Sequence, residues 1–176
     1  RISAKVPKIG WPGLLVGDMT QPRGGPMLTG HASHQIGLDA DVWLTPMPDH
    51  ELTRMEREEK MATNVVNDTW DEVRPEIWSP TYIALLKTVA DDPQVERVLV
   101  NYAIKKALCR DVKTDRSWLG KMRIVFGHNY HFHIRIKCPA DSPECHPDTP
   151  PPSNEDCAEN VGFWAANDRF RPRPHP

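Results

Sequence analysis

Three histidines fall within six residues of the stretch Gly127–Cys138, GHNYHFHIRIKC, and then give way to strict alternation. From Tyr130 the order Tyr, His131, Phe132, His133, Ile134, Arg135, Ile136, Lys137 puts polar side chains on one face of an extended chain and apolar ones on the other. That is the signature of a half-buried β-strand. His131 and His133 then point the same way with α-carbons ~6.5–7 Å apart, so one can bind a metal while the other reaches a molecule held on that metal. His128 lies outside the alternation, and the turn at Gly127–Asn129 sets its direction.

A hydrolytic zinc site takes three protein ligands and leaves a fourth position for water. A second histidine-bearing stretch, Gly30–Leu44, GHASHQIGLDADVWL, supplies what the first lacks. His34 and Asp41 are seven positions apart, with Gly37 between them to allow the turn that brings both to one ion. The candidate ligand set is His34, Asp41 and His133, with His131 alongside. Two neutral imidazoles and one carboxylate leave a divalent zinc net positive, enough to bring bound water towards a pKa of ~7 and to polarise a peptide carbonyl. His131 is placed to carry a proton or to steady a developing oxyanion. Taken singly, His34 reads as a surface or satisfied core residue and Asp41 as a solvated strand acid. His50, His146 and His175 stand in polar or proline-rich contexts and read as exposed. A Ser33/His34/Asp41 serine-hydrolase triad is disfavoured, because Ser33 adjoins its would-be base and lies on no G-x-S-x-G elbow.

These residues need a rigid platform. Leu14–Met19 has the length of a short strand, and Leu38–Leu44 alternates so that Asp39 and Asp41 share a face. Residues 46–60 are strongly charged and read as a solvated helix from near Asp49 or a mobile excursion. Ser79 and Pro80 open a helix whose stripe is Tyr82, Ile83, Leu85, Leu86 and Val89, stopped at Asp91-Asp92-Pro93. Val95–Asn101 reads as a strand, Ala103–Leu108 as a short helix, and Ser117–Gly127 as a further helix through Trp118, Leu119, Met122 and Val125. The expected fold class is α+β: a small, mainly antiparallel sheet carrying the metal motifs, helices packed on one side, and long loops. One domain, 1–176, is expected, with a lead-in loop at 1–13 and a proline-rich covering segment and tail at 139–176.

At 176 residues the chain can bury a core unaided. A formal charge of −2 with 26% charged residues gives no reason to expect a polyanionic partner, which argues against nucleic acid. No apolar run approaches the ~20 residues of a membrane span. The chain opens on Arg1 and reads as processed, with any signal peptide removed or lying outside it. Four cysteines allow two disulfides in three pairings, with four buried thiols as the alternative. The absence of a C-x-x-C pair argues against a cysteine zinc site.

The segment SHQIGLDAD, Ser33–Asp41, resembles the metal loop of the LAS peptidases, which include lysostaphin-like enzymes, D-Ala-D-Ala peptidases and the N-terminal hedgehog domain. They share a His-x6-Asp motif and a later His-x-His. The wider pattern is GHASHQIGLDAD, the spacing of His128, His131 and His133, then IRIKCPADSPEC, VLVNYAIKKALC and TDRSWLGKMR. It is similar to the penicillin-insensitive murein endopeptidases over roughly Leu14 to Cys157. The resemblance implies a zinc-dependent endopeptidase of the bacterial envelope that cleaves peptide cross-links of peptidoglycan at D-Ala–meso-diaminopimelate bonds, and it admits bonds between two diaminopimelates. It implies His34, Asp41 and His133 as ligands of the catalytic Zn2+, His131 as the catalytic histidine and His128 as an active-site histidine. His31 matches a second-metal position, with Asp68 and Asp71 as the further ligands. Disulfides Cys109–Cys157 and Cys138–Cys145 and a periplasmic location are implied with it. Gln21–Gly25 and Trp70–Trp78 flank the ligands and are expected as cleft walls. The competing readings are a D,D- or L,D-carboxypeptidase on murein stem peptides and a non-catalytic zinc-stabilised binding domain.

Overall fold

The computed structural model describes residues 1–27, 31, 33–147, 149–152, 154–167 and 171–172; the reading of His175 as exposed lies outside them. Five strands form one sheet: β1 (Val16–Met19), β2 (Asp39–Trp43), β3 (Val95–Val100), β4 (Met122–Ile124) and β5 (His131–Ile136), in the order β1-β2-β5-β3-β4. All neighbours are antiparallel except β3 and β4. That pair is parallel because the chain leaves β3 and returns to β4 through a helical crossover. The class is α+β, as expected.

Alternation decides which face of the sheet is buried. Phe132 and Ile134 of β5, Val42 of β2, and Val98 and Val100 of β3 enter the core, where helices α2 (Pro80–Ala90) and α3 (Tyr102–Asp111) cover them. Leu85, Leu86 and Val89 of α2 and Ile104 and Leu108 of α3 are fully enclosed there. Each such side chain contributes about 1.5–3 kcal/mol by leaving water. The other face is therefore free to carry Asp39, Asp41, His131 and His133.

Local chemistry starts and stops the helices. Pro80 at the first position opens α2, although the Ser79 side chain makes no capping bond. Asn101 caps α3 by accepting from the Ala103 N–H at 2.8 Å. Helix α1 (Arg54–Glu59) begins later than the charge run suggests, where Thr53 and Glu56 close a reciprocal capping box.

Two stretches depart from expectation. Residues 117–127 do not form a helix: Ser117–Lys121 makes a short 3-10 turn, and Met122–Ile124 pairs with β3 instead. Trp118, Leu119 and Met122 are all buried, and that spacing fits a helical stripe as well as a turn feeding an inner strand. Residues 1–13 are also more structured than their turn residues suggest. Val6–Ile9 forms a 3-10 turn, and Val6 and Trp11 are buried in the core, Trp11 edge-on to Tyr82 at 5.0 Å.

Disulfides Cys109–Cys157 and Cys138–Cys145 are both formed. Beyond them Cys157–Val161 makes a π-type turn running into α4 (Gly162–Ala166). The covering segment passes so close to Gly120 that a β-carbon there would lie 2.6 Å from Asn154 O and 2.7 Å from Pro152 O. No described helix is long and apolar enough to cross a membrane.

Candidate metal centre

The register of β2 against β5 assembles the site. Asp39 faces Arg135, Asp41 faces His133 and Trp43 faces His131. Directly opposed residues share a face of the sheet, so two acids of one strand meet two histidines of the other. His34 arrives from the loop before β2 with a left-handed backbone, φ 63°. Such strain in a non-glycine residue persists only where its surroundings hold it. Here Gly37 N–H donates to Thr20 Oγ1 at 3.0 Å and Gly25 N–H to Gln35 O at 2.8 Å, binding the loop to residues 20–25.

Three donor atoms converge. His34 Nε2 lies 3.0 Å from His133 Nδ1 and 3.2 Å from Asp41 Oδ1, and His133 Nδ1 lies 3.1 Å from Asp41 Oδ1. Bonds of 2.0–2.1 Å to a tetrahedral zinc place its donors ~3.4 Å apart, so the triangle has the size of one face of such a site. Asp41 Oδ1 is buried, yet neither imidazole contact has the alignment of a hydrogen bond. A buried carboxylate oxygen without a hydrogen-bond partner, beside two imidazole nitrogens, suits a cation among them. His31, His34 and Asp41 also offer donors within 4.8 Å of one another. That group is wider, and His31 Nε2 is engaged 2.9 Å from Asp18 Oδ2.

Asp39 completes the arrangement from behind, a role the sequence reasoning did not assign. His133 Nε2–H donates to Asp39 Oδ1 at 2.8 Å, and Arg135 donates to Asp39 Oδ2 at 2.7 Å. A carboxylate only accepts, so Nε2 carries a proton and Nδ1 is the nitrogen turned to the triangle; burial opposes the charge of His133, but Asp39 and Asp41 prevail and raise its pKa. Burial opposes the charge of Asp39, but His133 and Arg135 prevail and hold its carboxyl below the usual range. Asp41 is held low in the same way, burial being outweighed by its contact with His133 and by the other imidazoles around it. The signal for Asp39 was its shared face with Asp41, two residues on.

His131 stands on the other side of Asp41, its Nε2 3.6 Å from Oδ2. Burial pushes its pKa down to about 4, against the pull of Asp41, so the ring is neutral at physiological pH. The His128 ring is 4.7 Å from that of His131, and burial lowers its pKa too. His128 also has a left-handed backbone, φ 53°. Its turn is pinned where the Asn101 amide donates to Gly127 O at 2.6 Å and its own Nδ1–H donates to Phe126 O at 3.0 Å.

These histidines line a cavity of ≈ 340 Å³ whose walls include Leu99, Phe126 and Tyr130. Phe126 is 49% and Tyr130 42% exposed, so aromatic surface is available beside the donors. Trp70 stacks on Phe126 at 5.4 Å, which brings the 70–78 segment to the outside of that wall. Gln21–Gly25 braces the His34 loop and is not among the wall residues. A wider groove of ≈ 690 Å³ beside Trp78 and Arg110 holds no histidine or cysteine.

The remaining acids lie apart from His31. Asp68 pairs with Arg74 at 2.7 Å, while Asp71 accepts from Asn67 at 2.9 Å and from the Thr69 hydroxyl at 2.5 Å. No described contact joins either to His31, so the structure does not gather that trio as it gathers His34, Asp41 and His133.

Known proteins carry the same pattern. The family model described as penicillin-insensitive murein endopeptidase matches residues 1–176. The penicillin-insensitive murein endopeptidase of Pectobacterium atrosepticum is 41% identical over 164 residues, 93% of this chain and 58% of that protein. Those of Haemophilus influenzae and Escherichia coli strain SE11 are 40% and 41% identical over the same share of the chain, covering 57% and 60% of their own lengths. The chain thus spans somewhat more than half the length of these relatives. With the match extending over every residue that builds the site, the chain belongs to the penicillin-insensitive murein endopeptidase family.

Proposed function

We propose that the protein is a zinc-dependent endopeptidase that hydrolyses peptide cross-links of bacterial peptidoglycan, at D-Ala–meso-diaminopimelate bonds and in the extracytoplasmic space. The observation that carries this reading is the triangle of His34 Nε2, Asp41 Oδ1 and His133 Nδ1, with edges of 3.0–3.2 Å and a neutral histidine beside it. The relatives' names supply the substrate class, and the two disulfides suit an oxidising compartment such as the periplasm.

His34, Asp41 and His133 would hold the ion. Zinc bound there would lower the pKa of a water towards ~7 and polarise the peptide carbonyl. His131 accepts the proton that the attacking water gives up and delivers it to the leaving amine, two roles its neutral ring can alternate between. Asp39 and Arg135 keep the His133 ring turned so that its lone pair stays on the site. Phe126 and Tyr130 shield one side from solvent and offer apolar surface to the substrate.

The test is cleavage of purified cross-linked muropeptide dimers beside monomeric pentapeptide, before and after chelation and after zinc is restored. Release of monomers that is lost on chelation and regained with zinc is the expected result. Alanine release without dimer cleavage would make the protein a carboxypeptidase. Zinc binding without hydrolysis of either would make it a binding domain, and indifference to chelation would remove the metal from the reaction.

A further inference from the structure

The sheet row that carries the ligands continues past them. The register sets Asp41 on β2, His133 on β5, Leu99 on β3 and Arg123 on β4 side by side. The next row holds Asp39, Arg135 and Arg97. Opposed residues on neighbouring strands share a face, so three arginines stand on the face that carries the histidines. Leu99 alone separates Arg123 from His133 along the row, and Leu99 lines the cavity.

Two of these three arginines are already engaged. Arg135 is taken up by Asp39 at 2.7 Å. Arg97 is pushed below its ordinary pKa by burial first and then by the neighbouring Arg135, with Arg123 adding to the effect against Asp39 and Glu96. Arg123 is half-buried and makes no hydrogen bond or ion pair with any described residue. A half-buried guanidinium facing other cations is best satisfied by an anion from outside, and its planar fork matches a carboxylate with two parallel hydrogen bonds. Two strand spacings, ~9.5 Å, separate the α-carbons of Arg123 and His133.

We propose that Arg123 forms an anion subsite at the end of the metal row and grips a substrate carboxylate next to the scissile peptide bond. The inference rests on the endopeptidase reading and deepens it. Diaminopimelate carries a carboxylate on the carbon that bears the acylated amine, so a cross-link of that kind presents the anion within two bonds of the nitrogen that is released. Arg123 then selects cross-links whose diaminopimelate carboxyl is free over those in which it is amidated.

The experiment compares wild type, Arg123→Gln and Arg123→Lys on two cross-linked dimers that differ only in whether that carboxyl is free or amidated. Thermal melting and zinc content are measured for each protein to show that the fold and the metal are intact. Wild type is expected to prefer the free acid. Arg123→Gln should lose about tenfold to a hundredfold in kcat/KM on it, the range for a lost hydrogen bond to a charged group, and little on the amide. Arg123→Lys should recover part of the loss. A Gln variant that keeps the wild-type preference for the free acid overturns the subsite. If wild type cleaves neither dimer, the endopeptidase reading fails, and the subsite is tested separately by tryptophan-fluorescence titration with a diaminopimelyl tripeptide and its amide. A preference for the acid that Arg123→Gln abolishes sustains it, and equal binding of acid and amide by wild type overturns it.

Discussion

The His133 imidazole is clasped between two aspartates of one strand, with Nε2 2.8 Å from Asp39 Oδ1 and Nδ1 3.1 Å from Asp41 Oδ1. The period of two along β2 makes this possible, because Asp39 and Asp41 project from the same face and straddle the residue opposite. One carboxylate orients the ring while the other joins it in the donor triangle.

Asp39→Asn should therefore weaken zinc binding without altering the ligands themselves. The amide keeps an oxygen near Nε2 but gives up the charge that fixes the tautomer and balances Arg135. Losses of this kind run to about tenfold to a hundredfold in metal affinity. Competition against a chromophoric chelator measures the change, and an affinity equal to wild type would mean that backbone geometry alone orients His133.

His131→Ala separates proton transfer from metal binding. His131 Nε2 lies 3.6 Å from Asp41 Oδ2 and takes no part in the triangle, so zinc content should stay at the wild-type level. Cleavage of muropeptide dimers should fall by about a hundredfold or more, the usual contribution of a positioned acid–base group. If cleavage persists at the wild-type rate, another group handles the proton, and His128, with its ring 4.7 Å from that of His131, is the next to test.

The strands that carry the site were legible because their alternation is strict. Asp39–Trp43 and His131–Ile136 fall where the pattern put them, and the helix at Pro80–Ala90 starts at the expected proline. The helix expected at 117–127 failed because a 3-10 turn followed by an inner strand buries the same positions as a helical stripe. Pairing with β3, far away in sequence, settles that choice, and local periodicity does not encode it. Asp39 was placed on the right face but given no role, since its bonds to His133 and Arg135 depend on the β2–β5 register. The aromatic wall was foreseen only in part: Trp70 approaches the site by stacking on Phe126, which lies 56 residues further along the chain.

The two disulfides should differ in what they contribute to stability. Cys109–Cys157 closes a span of 48 residues and Cys138–Cys145 one of 7. Chain-entropy scaling gives about 4 kcal/mol for the longer loop and about 2 kcal/mol for the shorter. Paired Cys→Ser variants in denaturant unfolding should preserve that order. The longer bridge also fixes the segment that crosses Gly120, so its loss should expose residues 154–157 to protease before the sheet unfolds, and equal protection in both variants would contradict this.

Lys105 gives the fold a pH dependence of its own, away from the candidate metal centre. Its side chain is fully buried, and Nζ donates to Leu119 O at 2.6 Å and Glu155 O at 2.8 Å, tying α3 to the covering segment one helical turn before Cys109. Burial pushes its pKa down to about 8 from 10.5, although Asp156 nearby favours the charged form. Between those two pH values the unfolded chain retains a proton that the folded chain has released, so unfolding is coupled to proton uptake. Stability contributed by this residue therefore rises with pH, by at most about 1.4 kcal/mol per unit. The neutral amine still has two N–H groups for the two carbonyls, so the clamp survives deprotonation. Lys105→Met should be less stable than wild type through the lost bonds, and the gap should widen as pH climbs from about 8 towards 10. Urea unfolding of both proteins across that range measures the gap, and parallel profiles would show that Lys105 does not titrate within it.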